Sequence, residues 1–161
     1  MTDTSTDTAR IEQLFLDERT VVNRTPQVEH ERKVAIYDLL DDNYFRLIDG
    51  PDGPYVLRLS IEDNRLAFDV RDVNNAPLKS FILALSPFRS IVREYLMVCE
   101  SYYTAIKTAS PSQIEAIDMG RRGLHNDGSD FLTQRLLDKV ELDANTSRRL
   151  FTLVCVLHIK G

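Results

Sequence analysis

The sequence predicts an α+β protein, a single domain in which an antiparallel meander of three to five strands is covered by about five helices. Two periodic patterns indicate this class. Over residues 55–85 apolar and polar residues alternate, as on a half-buried strand, and after Ser86 apolar residues recur every three or four positions, as on a helix face. With 161 residues, 43% of them apolar, the chain can bury a core without disulfide or metal support.

The first half of the chain supplies the strands. Residues 1–9 are predicted to be a disordered tail, and the single domain is predicted over 10–161, with a weak strand at 10–16. Thr25-Pro26 begins a helix that runs to about Leu40, because threonine can cap a helix and proline fits its first position. Further strands are predicted at 44–48, 55–61, 66–70 and 78–85, separated by turn-forming residues.

The second half supplies most of the helices. Ser86-Pro87 is expected to cap a helix that continues to Ile106. A capping box at Ser110-Pro111-Ser112-Gln113 begins the next helix, for which Gly120 is the predicted C-cap. Residues 130–140 form a third predicted helix. The apolar segment 144–159 fits helix or strand, and helix is favoured because residues 145–147 offer caps.

The predicted interhelix loop 118–128 is the candidate functional site. Its arginines could hold phosphate or carboxylate in a bidentate manner, and its histidine could act as general acid or base. Arg89 and Arg93, one turn apart on the Ser86 helix, could add to such an anion site or form a solvated face. The structural alternative is a joint in which the arginines pair with the acid and the histidine bonds to backbone. The candidate residues of the loop are Asp118, Arg121, Arg122, His125 and Asn126.

Composition narrows the classes of function. A net charge of −5 and a pI near 5.2 argue against general nucleic-acid binding. No apolar run is long enough for a membrane span, and the N-terminus lacks the apolar core of a secretory signal. Cys99 and Cys155 lie in apolar stretches, which fits buried free thiols in the cytoplasm. These features predict a cytoplasmic protein that spans no membrane.

The sequence predicts no metal site and no cofactor. It contains no His-x-x-x-His or Cys-x-x-Cys pair, so a metal site would need His30, His125 and His158 to meet in space. Phosphate-loop, nucleophile-elbow and dinucleotide-binding glycine motifs are also absent from the sequence.

Three functions are left open. The first is a binding module that recognises an anionic small molecule, a nucleotide or an acidic protein partner through 118–128. The second is a phosphoester hydrolase or ribonuclease that uses His125, with His30, Asp118 or His158 as a second proton-transfer group. The third is a structural homo-oligomer. Whether the protein is an enzyme is therefore open at this point.

Five segments carry a family resemblance. They are Val-Glu-His-Glu-Arg at 28–32, Leu-Ala-Leu-Ser-Pro-Phe-Arg at 83–89, Cys-Glu-Ser-Tyr-Tyr at 99–103, Glu-Ala-Ile-Asp-Met-Gly-Arg-Arg-Gly-Leu-His-Asn at 115–126 and Arg-Arg-Leu-Phe-Thr-Leu at 148–153. Together they resemble a family of small alphaproteobacterial proteins known only as an uncharacterised protein family. The resemblance covers nearly the whole chain after the tail, and it implies a bacterial cytoplasmic protein without naming an activity.

Overall fold

A computed structural model describes residues 8–18 and 25–158. Within these ranges the elements, in chain order, are β1 (Ile11–Leu16), α1 (Pro26–Asp41), β2 (Phe45–Leu47), β3 (Tyr55–Glu62), β4 (Arg65–Asp72), β5 (Pro77–Ala84), α2 (Arg89–Thr108), α3 (Pro111–Arg135), β6 (Val140–Leu142) and α4 (Ala144–His158). A short 3-10 turn at Ser86–Phe88 leads into α2. The predicted tail lies outside the described residues up to position 7, and Ala9 is buried.

The main sheet has four strands in the order β1-β3-β4-β5. Strands β3, β4 and β5 form the predicted antiparallel meander, and the β3–β4 turn is closed by Asp63 and Asn64, whose φ angles are 52° and 60°. Such a two-residue turn matches the twist of a hairpin. Strand β1 pairs in parallel with β3, with Ile11 opposite Tyr55, so the sheet is mixed. Strands β2 and β6 form a separate antiparallel pair. The predicted α+β class is confirmed.

The core lies where the inward face of the main sheet meets the helices. Alternate residues of β3 and β4, including Leu57, Leu59 and Phe68, are almost fully buried, as the period-two pattern predicted. Helix α4 buries most of its side chains and packs against α1, α3 and β3. The segment 144–158 is therefore helical, as favoured. None of the helices in the described ranges is long and apolar enough to cross a membrane.

The helix starts follow the predicted caps in α1 and α3. The Thr25 hydroxyl accepts a hydrogen bond from the Val28 amide at 3.2 Å. At the start of α3, Ser110 and Gln113 form a capping box in which each side chain accepts from the other residue's backbone amide. The start of α4 differs from the prediction that residues 145–147 would cap it. The cap is Asp143, whose Oδ1 accepts a hydrogen bond from the backbone amide of Thr146.

The prediction of a loop at 118–128 is wrong, because these residues form the middle of α3. Gly120 does not end a helix, and the helices predicted at 110–120 and 130–140 are one helix of 25 residues. The described ranges therefore contain four α-helices, not about five. The polar residues support the helix, since Asp118 forms ion pairs with Arg121 three positions later and Arg122 four positions later. Tertiary packing of the segment offsets the low helix propensity of its glycines.

Candidate functional site

A pocket of about 520 Å³ opens between α1, α3 and α4. Its volume lies in the range typical of small-molecule sites. The lining comes from distant parts of the sequence, and α2 contributes a single tyrosine. The lining residues are His30, Glu31, Val34, Ala35 and Asp38 of α1, Tyr95 of α2, Arg121, Arg122, His125 and Asn126 of α3, and Arg148, Arg149 and Thr152 of α4.

Four of the seven candidate residues from the sequence line this pocket. They share one stretch of α3, where a helical turn separates Arg121 and Arg122 from His125 and Asn126. The other three, Asp118, Arg89 and Arg93, are not among the lining residues. Asp118 instead holds the two α3 arginines, and Arg93 is exposed on α2.

Arg121 is the centre of a network that joins three helices. Its guanidinium donates two hydrogen bonds to Oδ1 of Asp118, at 3.1 and 2.6 Å, and lies 3.9 Å from Oε1 of Glu31 on α1. The same guanidinium stacks over the ring of Tyr102 on α2, 4.8 Å from its centroid. The Tyr103 hydroxyl donates to Glu31. Hydrogen bonds from Arg121 hold the pKa of the Asp118 carboxyl below its usual value, so this acid is ionised at neutral pH.

His125 lies on the floor of the pocket as a neutral side chain. Nε2 of His125 shares a 2.7 Å hydrogen bond with Oγ1 of Thr152. The same hydroxyl lies 3.2 Å from the carbonyl oxygen of Arg148 and can donate to it. Burial, together with the positive charges of Arg121 and Arg148, lowers the pKa of His125 to about 4.

A close approach of α3 and α4 shapes this floor. The ring of Phe151 packs edge-on against His125, 5.4 Å away between centroids, and against Tyr95 at 6.0 Å. Phe151 fits here because residue 128 is glycine: a Cβ atom at that position would lie 2.1 Å from Cζ of Phe151. Gly128 is thus required by packing and not by a turn.

His125 is expected to make the protein less stable in mild acid. Its pKa in the folded protein is about 4, below the 6.5 of an ordinary histidine, so between these values the unfolded chain binds more protons. Stability is then fully present above pH 6.5 and falls as the pH decreases towards 4, by about 2–3 kcal/mol from this group. Urea unfolding at pH 7 and pH 4.5 would measure this loss.

The matched variant for this measurement is His125→Gln, which keeps a side-chain amide to bond Thr152 but does not titrate. The carboxylates of the protein titrate in both forms, so the difference between wild type and variant isolates the histidine. If both proteins lose the same free energy of unfolding between pH 7 and pH 4.5, the lowered pKa of His125 is contradicted.

Arg148 and Arg149 line the pocket but were not among the candidates predicted from the sequence. Arg148 Nε donates to Oδ1 of Asn126 at 3.1 Å, and its Nη1 donates to Oδ1 of Asn145 at 3.3 Å. Arg149 Nη1 donates to the carbonyl of Asp42 at 3.0 Å. In the part of the chain that the structure describes, neither arginine has a carboxylate within ion-pair distance. Both therefore keep an uncompensated positive charge at the pocket.

The acidic wall of the pocket, Glu31 and Asp38 on α1, also went unnominated. The sequence contained some signal for the α4 wall. Thr152 interrupts an apolar run in α4, and Arg148 and Arg149 belong to a segment that carries the family resemblance.

Of the three histidines, His30 and His125 line the pocket and His158 does not. Across 8–18 and 25–158, no three His, Cys, Asp or Glu side chains are grouped so that they could hold a metal ion.

Comparison with known proteins places the chain among uncharacterised relatives. The sequence profile of the uncharacterised protein family UPF0262 matches residues 8–160. A UPF0262 protein of Rhodospirillum rubrum is 57% identical over 155 residues, which is 96% of each chain. UPF0262 proteins of Methylobacterium radiotolerans and Caulobacter vibrioides are 53% and 51% identical, each over 94% of both chains. No solved structure matches. The predicted family resemblance is confirmed.

Proposed function

Since this chain belongs to the uncharacterised protein family UPF0262, which names no activity, we propose from the pocket itself that the protein is a small binding module for an anionic small molecule. The ligand would lie between α1, α3 and α4, and not on a loop. The proposal keeps Arg121, Arg122, His125 and Asn126 as site residues and adds the arginine pair of α4 to them.

The observation that carries the proposal is the uncompensated charge of Arg148 and Arg149 beside a pocket that four arginines line. A guanidinium group that is not neutralised by a carboxylate can donate a bidentate pair of hydrogen bonds to phosphate or carboxylate. Asn126 and Asn145 accept from Arg148 and thereby hold its guanidinium in place before a ligand arrives. Such preorganisation lowers the entropy cost of binding.

His125 is not suited to the role of a general acid. A general acid must carry its proton at working pH, and the pKa of about 4 leaves His125 unprotonated near neutrality. Nε2 is also engaged in a hydrogen bond with Thr152. These features suit a neutral side chain that shapes the floor of the pocket. The hydrolase alternative would need a proton donor other than His125.

The arginine pair gives the direct test of anion binding. Arg148→Ala should weaken binding about tenfold or more, because one charge-assisted bidentate contact is lost. Inorganic phosphate, a nucleoside monophosphate and citrate are suitable probes, with dissociation constants from isothermal titration calorimetry. The unfolding free energy of the unliganded protein should change by less than about 0.5 kcal/mol, since Arg148 is exposed.

Arg93→Ala is the matched control, because it removes one exposed arginine away from the pocket. It changes the net charge equally, so a general electrostatic effect would weaken binding in both variants. Equal weakening in the two variants, or no binding of any of the three probes by wild type at millimolar concentration, would refute the proposal.

The cytoplasm is the proposed location. Cys99 and Cys155 are free and buried, and burial raises the pKa of Cys99 to about 11, so its thiol is uncharged and unreactive at neutral pH. Buried free thiols of this kind suit a reducing compartment. Assembly into a homo-oligomer stays a prediction.

A further inference from the structure

The pocket carries charges of both signs, and in the described ranges those of Asp38, Arg148 and Arg149 have no ion-pair partner. Its basic side is formed by α3 and α4 and its acidic side by Glu31 and Asp38 of α1. The two acids differ in what they contact. Glu31 accepts from the Tyr103 hydroxyl and lies near Arg121, so its charge is already compensated. The Asp38 carboxylate has no ion pair or hydrogen bond in the described ranges, although it lines the same cavity as four arginines.

The arrangement at the end of α1 keeps the opposite charges apart. Arg149 reaches this helix end and donates to the carbonyl of Asp42, and the Asp42 amide in turn donates to the carbonyl of Asp38. Arg149 is thus bound about one helical turn beyond Asp38, and the guanidinium bonds to backbone and not to the nearby carboxylate. Arg148 is likewise held by two asparagine side chains.

We propose that the ligand is a zwitterion, with an anionic phosphate or carboxylate group bound by Arg148 and Arg149 and a cationic ammonium group bound by Asp38. This inference rests on the proposed function. A purely anionic ligand would be attracted to the arginines and repelled by Asp38 across the same cavity. A small molecule with both charges compensates the two sides at once, and Val34 and Ala35 on α1 supply an apolar surface for the carbon chain between its charges.

Two pairs of probes test this inference, each pair differing only in the ammonium group. They are O-phosphoethanolamine against ethyl phosphate, and 4-aminobutyrate against butyrate. Wild type should bind the amino member about twofold to fivefold more tightly, the range expected for one partly exposed ion pair. Comparison of the two pairs shows whether phosphate or carboxylate is the preferred anion.

Asp38→Asn should abolish the preference for the amino compound, and it should leave ethyl phosphate binding unchanged or tighter, because a repelling charge is gone. Asp41→Asn, an exposed acid of the same helix that does not line the pocket, is the control and should keep the preference. If wild type binds both members of each pair equally, the zwitterion is overturned while anion binding stands. If none of the four probes binds at millimolar concentration, both the zwitterion and the proposed anion binding fail.

Discussion

Replacement of Gly128 by alanine is expected to lower the free energy of unfolding by about 3 kcal/mol. A Cβ atom at this position would lie 2.1 Å from Cζ of Phe151, and both neighbouring ring carbons would be within 2.5 Å. Phe151 is fully buried and has aromatic neighbours on its other sides, so its ring cannot move away without disturbing the core. The overlap outweighs the gain of up to about 1 kcal/mol that alanine brings to a helix interior.

Gly120 and Gly123 provide matched controls within the same helix. Apart from the adjoining residues and backbone of α3 itself, no described atom lies within 4 Å of a Cβ built at either position, so alanine there gains helix propensity without overlap. Each control should raise the unfolding free energy by about 0.5–1 kcal/mol. Urea denaturation of the three variants measures all of these values. A Gly128→Ala protein as stable as the Gly120→Ala protein would show that α3 and α4 do not approach as closely as described.

Removal of the Arg121 side chain is expected to cost about 2 kcal/mol of unfolding free energy. Arg121→Ala leaves the half-buried carboxylates of Asp118 and Glu31 without this partner and uncovers the Tyr102 ring. The matched variant Arg122→Ala removes an arginine whose side chain is 64% exposed and should change stability by less than about 0.5 kcal/mol. Thermal and urea unfolding of both variants would show whether Arg121 stabilises the fold more than Arg122 does.

A double-mutant cycle with Asp118→Asn separates the Arg121–Asp118 pair from the rest of the network. The losses of unfolding free energy in the two single variants should add up to more than the loss in the double variant, because Asp118 accepts two hydrogen bonds from Arg121. Strictly additive losses would contradict the pairing. The result also matters for ligand experiments, since a variant at Arg121 changes the fold as well as the pocket, whereas Arg148→Ala changes only the pocket.

The parts of the fold that were predictable are those set by local sequence. The meander follows from alternation within β3, β4 and β5 and from turns such as Asp63-Asn64, where each strand pairs with its neighbour in the chain. The starts of α1 and α3 follow from Thr25 and from Ser110 with Gln113, because capping involves only residues three positions apart. These interactions need no knowledge of tertiary structure.

The middle of α3 was mispredicted because its helical character depends on partners elsewhere. Positions that face the other helices are occupied by Arg121, His125 and Gly128, not by leucine or valine, so the apolar period is interrupted there. Each of the three is explained by a tertiary contact, with Glu31, Thr152 and Phe151 respectively. A sequence pattern contains none of these contacts, and local propensity alone favoured a glycine-rich loop.

Only the α3 wall of the pocket could be nominated from the sequence. Arg121, Arg122, His125 and Asn126 were nominated because polar residues cluster there in the sequence. Their opposite walls come from α1 and α4, which are about a hundred positions apart and are brought together by packing of α1 on α4. No local signal specifies that contact, so Asp38 and Arg148 could not be assigned to one site in advance.

Helix α1 buries only Ala35 and Leu39 completely, whereas α4 buries most of its length. Amide protons of α1 should therefore exchange with solvent through local opening of that helix, at a free energy well below that of global unfolding. The α1 wall of the pocket is thus expected to open more readily than the α4 wall. A ligand that bridges Asp38 and Arg148 would oppose the local opening of α1. The amide protons of α1, and not those of α4, would then exchange more slowly in the liganded protein than in the free protein.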